Sequence, residues 1–200
     1  MITDAKNEMR KHYLAERKAL NADSRAAADS AICAKLKTLA ELETAEYIAG
    51  YVSDGTEVDL NAFLLECKKA NKKVFLPRYS ASSGAAYEMV EINDLSLNLV
   101  PGKYGLMEPE QKLPAATAGQ INKMLWLVPG VAFDNTGARL GRGKGIYDRL
   151  LADSNGLSIG IFYQCQEADK VPAGEHDQSL DMIVTEKMII NLKNKTGEYK

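Results

Sequence analysis

The sequence predicts an α/β protein with a largely parallel sheet and helices on both of its faces. Helical and strand-like segments alternate along the chain, and this order calls for a parallel sheet covered by helices. The run from Met124 to Val128 is apolar throughout, as expected for a strand that is buried on both faces. A basic, glycine-rich segment follows this run directly, at the carboxyl edge where open α/β sheets bind their ligands.

The first expected elements are two helices. Apolar residues recur at helical spacing among charged residues over 4–20, and again over 23–42. Asp23 or Ser24 is the expected N-cap of the second helix. A third helix is expected to open at Thr56 and to reach about Ala70. The expected strands are 46–52, 73–79, 87–92, 121–128, 157–163 and, as the last one, 182–185.

Loops join these elements. Residues 53–55, Ser-Asp-Gly, form an expected turn after the first strand. Residues 80–86 are expected to be a loop, and 145–153 a short helix that follows the glycine-rich segment. The polar tail after Leu192 is expected to be frayed.

Length and composition indicate one domain over residues 1–200, since 46% of the residues are hydrophobic and 26% are charged. A net charge of −2 argues against affinity for bulk nucleic acid or for an anionic membrane. No apolar run approaches the roughly 20 residues of a membrane span. Three scattered cysteines indicate neither a disulfide framework nor a zinc site. We expect a cytoplasmic monomer that binds small molecules.

The segment 129–149, PGVAFDNTGARLGRGKGIYDR, carries the strongest functional signal. Glycine lets backbone N–H groups approach a ligand closely, the start of a following helix attracts anions, and cationic side chains add charge. A P-loop would need glycine at position 138 and Ser or Thr at 145, and a dinucleotide fingerprint would need glycine at 146. The chain matches neither pattern. It is either a different phosphate cradle or a flexible basic surface loop.

The motifs PGVAFD, RLGRGKG and YDR within this segment resemble the signature of 5-formyltetrahydrofolate cyclo-ligases, also called 5,10-methenyltetrahydrofolate synthetases. The resemblance implies the three-layer fold shared with NagB, RpiA and CoA-transferases. It also implies ATP-dependent conversion of 5-formyltetrahydrofolate into 5,10-methenyltetrahydrofolate with release of ADP and phosphate. In that reaction ATP phosphorylates the formyl oxygen, N10 of the folate closes the ring, and phosphate departs.

The same resemblance implies roles for individual residues. Arg142 and Lys144 are the implied catalytic residues, with Lys144 on the triphosphate. The implied ATP contacts are Lys6, Arg10, Arg139, Gly141, Arg142, Gly143, Lys144, Gly145 and Tyr147. The implied folate contacts are Asp54, Glu57, Asp59, Arg142, Gly143, Lys144, Gly145 and Ile146. Asp148 and Asp181 are the implied Mg²⁺ ligands, and carboxylates of this kind commonly hold Mg²⁺ together with phosphates.

Several of these residues have plainer explanations. Lys6 and Arg10 are four residues apart, so they share one face of the first helix. That face could simply be a basic surface exposed to solvent. Acidic residues such as Glu57 and Asp59 stabilise a first helical turn by about 0.3–1 kcal/mol, and which of the two binds the pterin stays open. Asp148 and Asp181 could be N-caps or surface acids.

Other motifs are weaker. Asp134 is expected to organise its loop, and His176-Asp177 does not indicate a triad, since no Ser or Cys nucleophile is near in sequence. The segment from Tyr104 to Pro109 is similar to a G-x-x-EP segment of the family.

Two other functions are compatible with parts of the sequence. One is a sugar-phosphate isomerase on the same fold, which would not need ATP. The other is a module that binds RNA phosphates through GRGKG. The charge balance and the lack of aromatic residues among the basic ones argue against RNA.

Overall fold

The computed structural model describes residues 2–80, 87–94 and 98–193, with the backbone alone at Tyr104. Its helices are α1 (Ile2–Ala19), α2 (Ala22–Leu36), α3 (Ala40–Thr44), α4 (Asn61–Lys69), α5 (Ala118–Ile121) and α6 (Ile146–Ala152). Its strands are β1 (Tyr47–Ala49), β2 (Lys73–Tyr79), β3 (Tyr87–Ile92), β4 (Leu99–Pro101), β5 (Met107–Pro109), β6 (Met124–Val128), β7 (Ala132–Phe133), β8 (Arg139–Leu140), β9 (Ser158–Ile161), β10 (Met182–Val184) and β11 (Ile189–Asn191).

Seven strands form one sheet in the order β11-β10-β9-β6-β1-β2-β3. The five inner strands run parallel, and β3 and β11 close the two sides as antiparallel strands. Two small hairpins, β4–β5 and β7–β8, lie outside this sheet. The carboxyl ends of the parallel strands therefore meet at one edge, and the segment after β6 leaves from that edge.

Alternate residues of the central strand β6 belong to two separate cores. Leu125 and Leu127 pack in a cluster with residues of α2 and α4. Trp126 and Val128 pack in the other cluster, which also contains Leu151 of α6. All five residues of β6 are buried, because helices cover the sheet on both faces. The predicted fold class is confirmed.

The predicted second helix, 23–42, is wrong as one element. It is two helices, α2 and α3, separated at residues 37–39. The N-cap is Asn21, whose side-chain oxygen accepts the Ser24 N–H at 2.8 Å. Leu36 and Leu39 are both buried, so apolar spacing continues across the break and hides it in the sequence.

The predicted helix start at Thr56 is also wrong, because α4 begins at Asn61. Residues 53–59, here called the acidic turn, are not helical. Asp54 Oδ1 accepts the backbone N–H of Thr56 at 2.8 Å and that of Glu57 at 3.0 Å. Such local side-chain bonds compete with a helical start, so Glu57 does not lie in a first helical turn.

Within the described residues, the main sheet has one strand more than the six that were predicted, and the two small hairpins were not predicted either. β11 follows β10 through a turn in which the Thr185 N–H donates to the Met188 carbonyl at 2.9 Å, and it pairs antiparallel to β10. Residues 81–86 of the predicted loop 80–86 lie outside the described part of the chain. The same is true of residues 194–200 of the tail that was predicted to be frayed. None of the described helices has the length and apolar character that a membrane crossing requires.

Candidate active site

The β7–β8 hairpin, which follows β6, positions the glycine-rich segment. Asp134 accepts hydrogen bonds from the backbone of Thr136, Ala138 and Val171, and from the Thr136 hydroxyl. Burial acts to raise the pKa of Asp134, but these hydrogen bonds outweigh it and the pKa is lowered. Asp134 therefore stays ionised and ties the β7–β8 hairpin to the chain at Val171, which is the loop-organising role predicted for it.

The glycine loop, residues 141–145, follows β8 and leads into α6. Gly143 has a φ of +85°, and a side chain there would also meet the Arg10 guanidinium at 3.2 Å. Arg10 donates from Nε to the Gly141 carbonyl at 2.9 Å. The positive φ therefore favours glycine at 143, and the lack of a side chain there leaves room for the Arg10 guanidinium.

An apolar cavity of about 290 Å³ lies on one side of the glycine loop. Tyrosines, prolines and aliphatic side chains make most of its wall, with a few polar groups among them. The aromatic and aliphatic lining is Tyr51, Val52, Pro77, Tyr87, Leu106, Met107, Pro129, Ile146 and Tyr147. The polar lining includes Glu57, Glu108, Arg139, Arg142, Lys144 and Asp148. This composition is typical of a site for a flat organic ligand.

A basic cavity of about 570 Å³ lies on the other side of the same loop. Its cations are Lys6, Arg10, Arg139 and Arg149, and its acids are Asp148, Glu175 and Asp177. The two cavities share four lining residues, namely Arg139, Gly141, Gly145 and Asp148. One loop thus forms a common wall between a cavity suited to an apolar ring and a cavity suited to an anion.

Two arginines contact the carboxylates of the acidic turn. Arg17 of α1 is 1% exposed and lies 3.5 Å from Asp54 Oδ2 and 3.6 Å from Glu57 Oε1. Arg142 of the glycine loop is 44% exposed and pairs with the same Asp54 oxygen, and it lies 3.3 Å from Glu57 Oε1. The turn therefore links the first helix to the glycine loop through shared carboxylates.

Of the predicted acids, Glu57 faces the apolar cavity and Asp59 does not. The Glu57 side chain is 10% exposed, and burial raises its pKa to about 7 although Arg17 acts to lower it. Asp59 is exposed and accepts the Asn61 N–H at 2.8 Å at the start of α4. The geometry thus separates two residues that the sequence could not separate.

The Tyr147 side chain lines the apolar cavity rather than the basic one. Its hydroxyl oxygen is buried and has no hydrogen-bond partner among the described residues. Burial, and then the charge of Glu57, raise the pKa of Tyr147, so the hydroxyl stays protonated. It can therefore donate a hydrogen bond to a ligand in the apolar cavity.

The two predicted metal ligands lie in different places. Asp148 is in the first turn of α6, 2.7 Å from an Arg139 nitrogen, and lines both cavities. Asp181 precedes β10 and accepts the Ser158 N–H at 2.8 Å, at the amino ends of the strands. The two carboxylates therefore do not lie at the same edge of the sheet. The metal role of Asp181 stays a prediction from the resemblance alone, without a contact to support it.

Comparison with known proteins identifies the family of the chain. Residues 2–186 match the model of the 5-formyltetrahydrofolate cyclo-ligase family. The chain belongs to the 5-formyltetrahydrofolate cyclo-ligase family. The members compared below are ligases by name, so the chain is an enzyme of that class.

Named cyclo-ligases and solved structures resemble the chain over most of its length. A 5-formyltetrahydrofolate cyclo-ligase of Mycolicibacterium smegmatis is 33% identical over 144 residues, covering 70% of this chain and 73% of that protein. A cyclo-ligase of Haemophilus influenzae is 29% identical over 195 residues, covering 92% and 100%. The NMR structure of Aquifex aeolicus 5,10-methenyltetrahydrofolate synthetase has a TM-score of 0.81 at 33% identity, covering 94% of this chain and 93% of that one.

The cyclo-ligase G-x-x-EP segment contributes a wall of the apolar cavity. Glu108 of β5 is buried and accepts the N–H of Tyr79 at 3.1 Å and that of Lys103 at 3.2 Å. A side chain at Gly102 would collide with the Glu108 carboxyl group. Glu108 thus fastens the β4–β5 hairpin to the end of β2, and Leu106 and Met107 reach the cavity from that hairpin.

The structure brings most of the predicted cyclo-ligase site residues to the two cavities. Asp54, Asp59 and Asp181 line neither of them within the described part of the chain. The sequence did not single out several other lining residues as site residues, since they come from distant segments. They include Pro77, Tyr87, Arg149, Glu175 and Gln178. Of these, only Arg149 carried a usable signal, because it stands in the basic segment.

Proposed function

We propose that this chain catalyses the ATP-dependent conversion of 5-formyltetrahydrofolate into 5,10-methenyltetrahydrofolate, with release of ADP and phosphate. The observation that carries the proposal is the pair of unlike cavities on the two sides of the glycine loop. The reduced pterin ring occupies the apolar cavity, and the triphosphate of ATP occupies the basic cavity. Family membership supports both assignments.

In the apolar cavity, Glu57 is the group that recognises the pterin edge. That edge presents an N–H and an amino group, and an ionised carboxylate accepts both. Ile146 and the tyrosine side chains supply apolar surface for the ring. The Tyr147 hydroxyl supplies one further donor. Asp54 contributes indirectly, because it holds the Glu57 backbone N–H and the Arg142 guanidinium.

In the basic cavity, Lys6, Arg10, Arg139 and Arg149 surround the triphosphate. Burial acts to raise the pKa of Asp177, but hydrogen bonds from Lys6 and the Gly174 N–H outweigh it, so the pKa is lowered. Asp177 thus stays ionised and keeps Lys6 at the cavity wall until ATP arrives.

Mg²⁺ fits this site as a partner of ATP. No group of three acidic, histidine or cysteine side chains that could hold a metal is present in the described ranges. Mg²⁺ usually needs only one or two carboxylates when phosphates supply other ligands. Asp148, which lines both cavities, would provide that carboxylate. The ion would neutralise part of the phosphate charge.

The reaction takes place where the two cavities adjoin at the glycine loop, so that the formyl oxygen and the γ-phosphorus meet directly. The formyl oxygen attacks the γ-phosphorus, the bond from that phosphorus to the β,γ-bridging oxygen breaks, and ADP leaves. N10 then attacks the formyl carbon and loses its proton, and the carbon–oxygen bond breaks to release phosphate. Arg142 and Lys144 line the apolar cavity beside the wall, where fixed cations stabilise the charge on the transferring group.

One experiment tests the proposal directly. The protein is mixed with 5-formyltetrahydrofolate, ATP and Mg²⁺, and the absorbance of the methenyl product is followed together with ADP. We expect one ADP for each methenyl group formed and no product without ATP. Product formation without ATP would refute the proposed reaction. Neither a sugar-phosphate isomerase nor an RNA module accounts for the apolar cavity, and no contact in the described structure favours either.

A further inference from the structure

Arg17 is a charged side chain that the proposed reaction does not use. It is 1% exposed and lines neither cavity within the described part of the chain. Its Nη1 donates to the Gly130 carbonyl at 3.1 Å, and its Nη2 donates to the Thr56 hydroxyl at 2.8 Å. A buried charge is costly unless it is paired and hydrogen-bonded, and the carboxylates of Asp54 and Glu57 provide the pairing.

Arg17 and Arg142, the two arginines at the acidic turn, differ in how far they are exposed to solvent. Arg142 reaches the carboxylates from the solvent side and belongs to the glycine loop. Arg17 is enclosed, and its guanidinium is held at Gly130, at Thr56 and at both carboxylates. Arg17 is therefore the enclosed cation beside Glu57, and Arg142 is the more exposed one.

Helix α1 fixes the position of Arg17. The same helix carries Lys6 and Arg10, which line the basic cavity. One rigid helix therefore supplies charge to the nucleotide side of the loop and, through Arg17, to the carboxylates on the folate side.

We propose that Arg17 is a positioning residue for folate binding, which acts by orienting the Glu57 carboxylate at the wall of the apolar cavity and by supplying a fixed positive charge beside it. Arg17 itself does not touch the ligand. The inference rests on the proposed function only for the identity of that ligand. It predicts that loss of the Arg17 guanidinium weakens the folate site and leaves the nucleotide site unchanged.

Several groups face Glu57 and contribute to its titration. Arg17 comes from α1, Arg142 from the glycine loop, and Asp54 from the acidic turn itself. The phenols come from the end of β1, from α6 and from the segment after β9, namely Tyr51, Tyr147 and Tyr163. The phenols are protonated at neutral pH, so Arg17 and Arg142 are the cations that favour the ionised form of Glu57.

The first test needs no substrate. Glutamate is labelled with ¹³C at its carboxyl carbon, and the Glu57 signal is assigned by its loss in Glu57→Gln. We expect the Glu57 midpoint to rise in Arg17→Gln, which removes the charge but keeps a donor, and to stay near the wild-type value in Arg17→Lys. The control is Lys18→Gln, which removes a neighbouring exposed charge from the same helix. An unchanged midpoint in Arg17→Gln would overturn the proposal.

The second test separates positioning from general destabilisation. We expect KM for 5-formyltetrahydrofolate to rise by roughly ten- to a hundredfold in Arg17→Gln, as for the loss of one partner of a buried charge pair. KM for ATP should stay within about twofold of the wild-type value, as should both constants in Lys18→Gln. Equal rises in both KM values would show a merely structural role and overturn the proposal.

Two outcomes need separate treatment. If Arg17→Gln does not fold, Arg17→Lys decides, because an amine keeps the charge but cannot span Gly130, Thr56 and both acids. We then expect a higher folate KM with an unchanged ATP KM, and wild-type values of both would overturn the proposal.

If the wild-type chain does not turn over 5-formyltetrahydrofolate, the proposed function fails, and the titration of Glu57 still tests the role of Arg17.

Discussion

The affinity of the chain for the folate should rise with pH, because Glu57 must be ionised to accept the pterin donors. Burial raises the pKa of Glu57 to about 7, with Arg17 acting in the opposite direction. A group with this pKa is about one tenth ionised at pH 6 and about nine tenths ionised at pH 8. If only the ionised form binds, the apparent Kd is the intrinsic Kd divided by the ionised fraction. The Kd should therefore fall about tenfold between pH 6 and pH 8.

The assay is an equilibrium titration of 5-formyltetrahydrofolate without ATP, followed by protein fluorescence, at several values of pH. The same titration of Glu57→Gln should show weaker binding with little change over this range, because glutamine does not ionise. The sign is fixed by the direction of the shift, since a carboxyl group with a raised pKa is charged only above that value. An equal tenfold change in Glu57→Gln, or a midpoint near the ordinary value of about 4.3, would refute the reasoning.

Further perturbations test other parts of the site. Lys144→Met should lower kcat/KM by roughly 10²–10³ with little change in melting temperature, because it removes a cation at the transferring group; a near wild-type kcat/KM would remove Lys144 from the site. Ile146→Tyr should lower the folate KM by up to about tenfold at a constant melting temperature, because Ile146 lines the apolar cavity; a lower melting temperature with an unchanged folate KM would contradict this. A chelator should abolish turnover, and equal rates with and without it would exclude a divalent cation. Asp148→Asn should raise the Mg²⁺ concentration needed for half-maximal rate, whereas Asp181→Asn should chiefly lower the melting temperature, because Asp181 holds Ser158; the reverse pattern would restore Asp181 as a ligand.

The fold class was predictable because local apolar patterns determine it. The apolar run of β6 predicted a strand covered on both faces, and its two sets of side chains do enter two cores. The helix boundaries were not predictable to the same degree. The acidic turn looked like a helix start because Thr56, Glu57 and Asp59 are typical of one, but Asp54 takes the backbone N–H groups that a helix would use.

The glycine loop of the candidate site was predictable from the sequence, and the residues that reach the cavities from distant segments were not. The glycine loop is contiguous, so its glycines and cations could be found from their spacing. The walls of the apolar cavity come from β2, β3 and the β4–β5 hairpin, and no local pattern joins Pro77, Tyr87 and Leu106. The role of Arg17 depends on contacts between α1 and two distant segments. Such contacts become visible only when the chain is folded.

The common wall restricts how this enzyme can be changed. Because Gly141 and Gly145 line both cavities, a substitution in the loop that alters the fit of one substrate also alters the fit of the other. Mutations that retune a single substrate should therefore be found away from the loop. For the nucleotide these positions are on α1, and for the folate they are on β3 and the β4–β5 hairpin. Directed evolution toward a new folate analogue should begin at Tyr87 and Met107, where the nucleotide site is not touched.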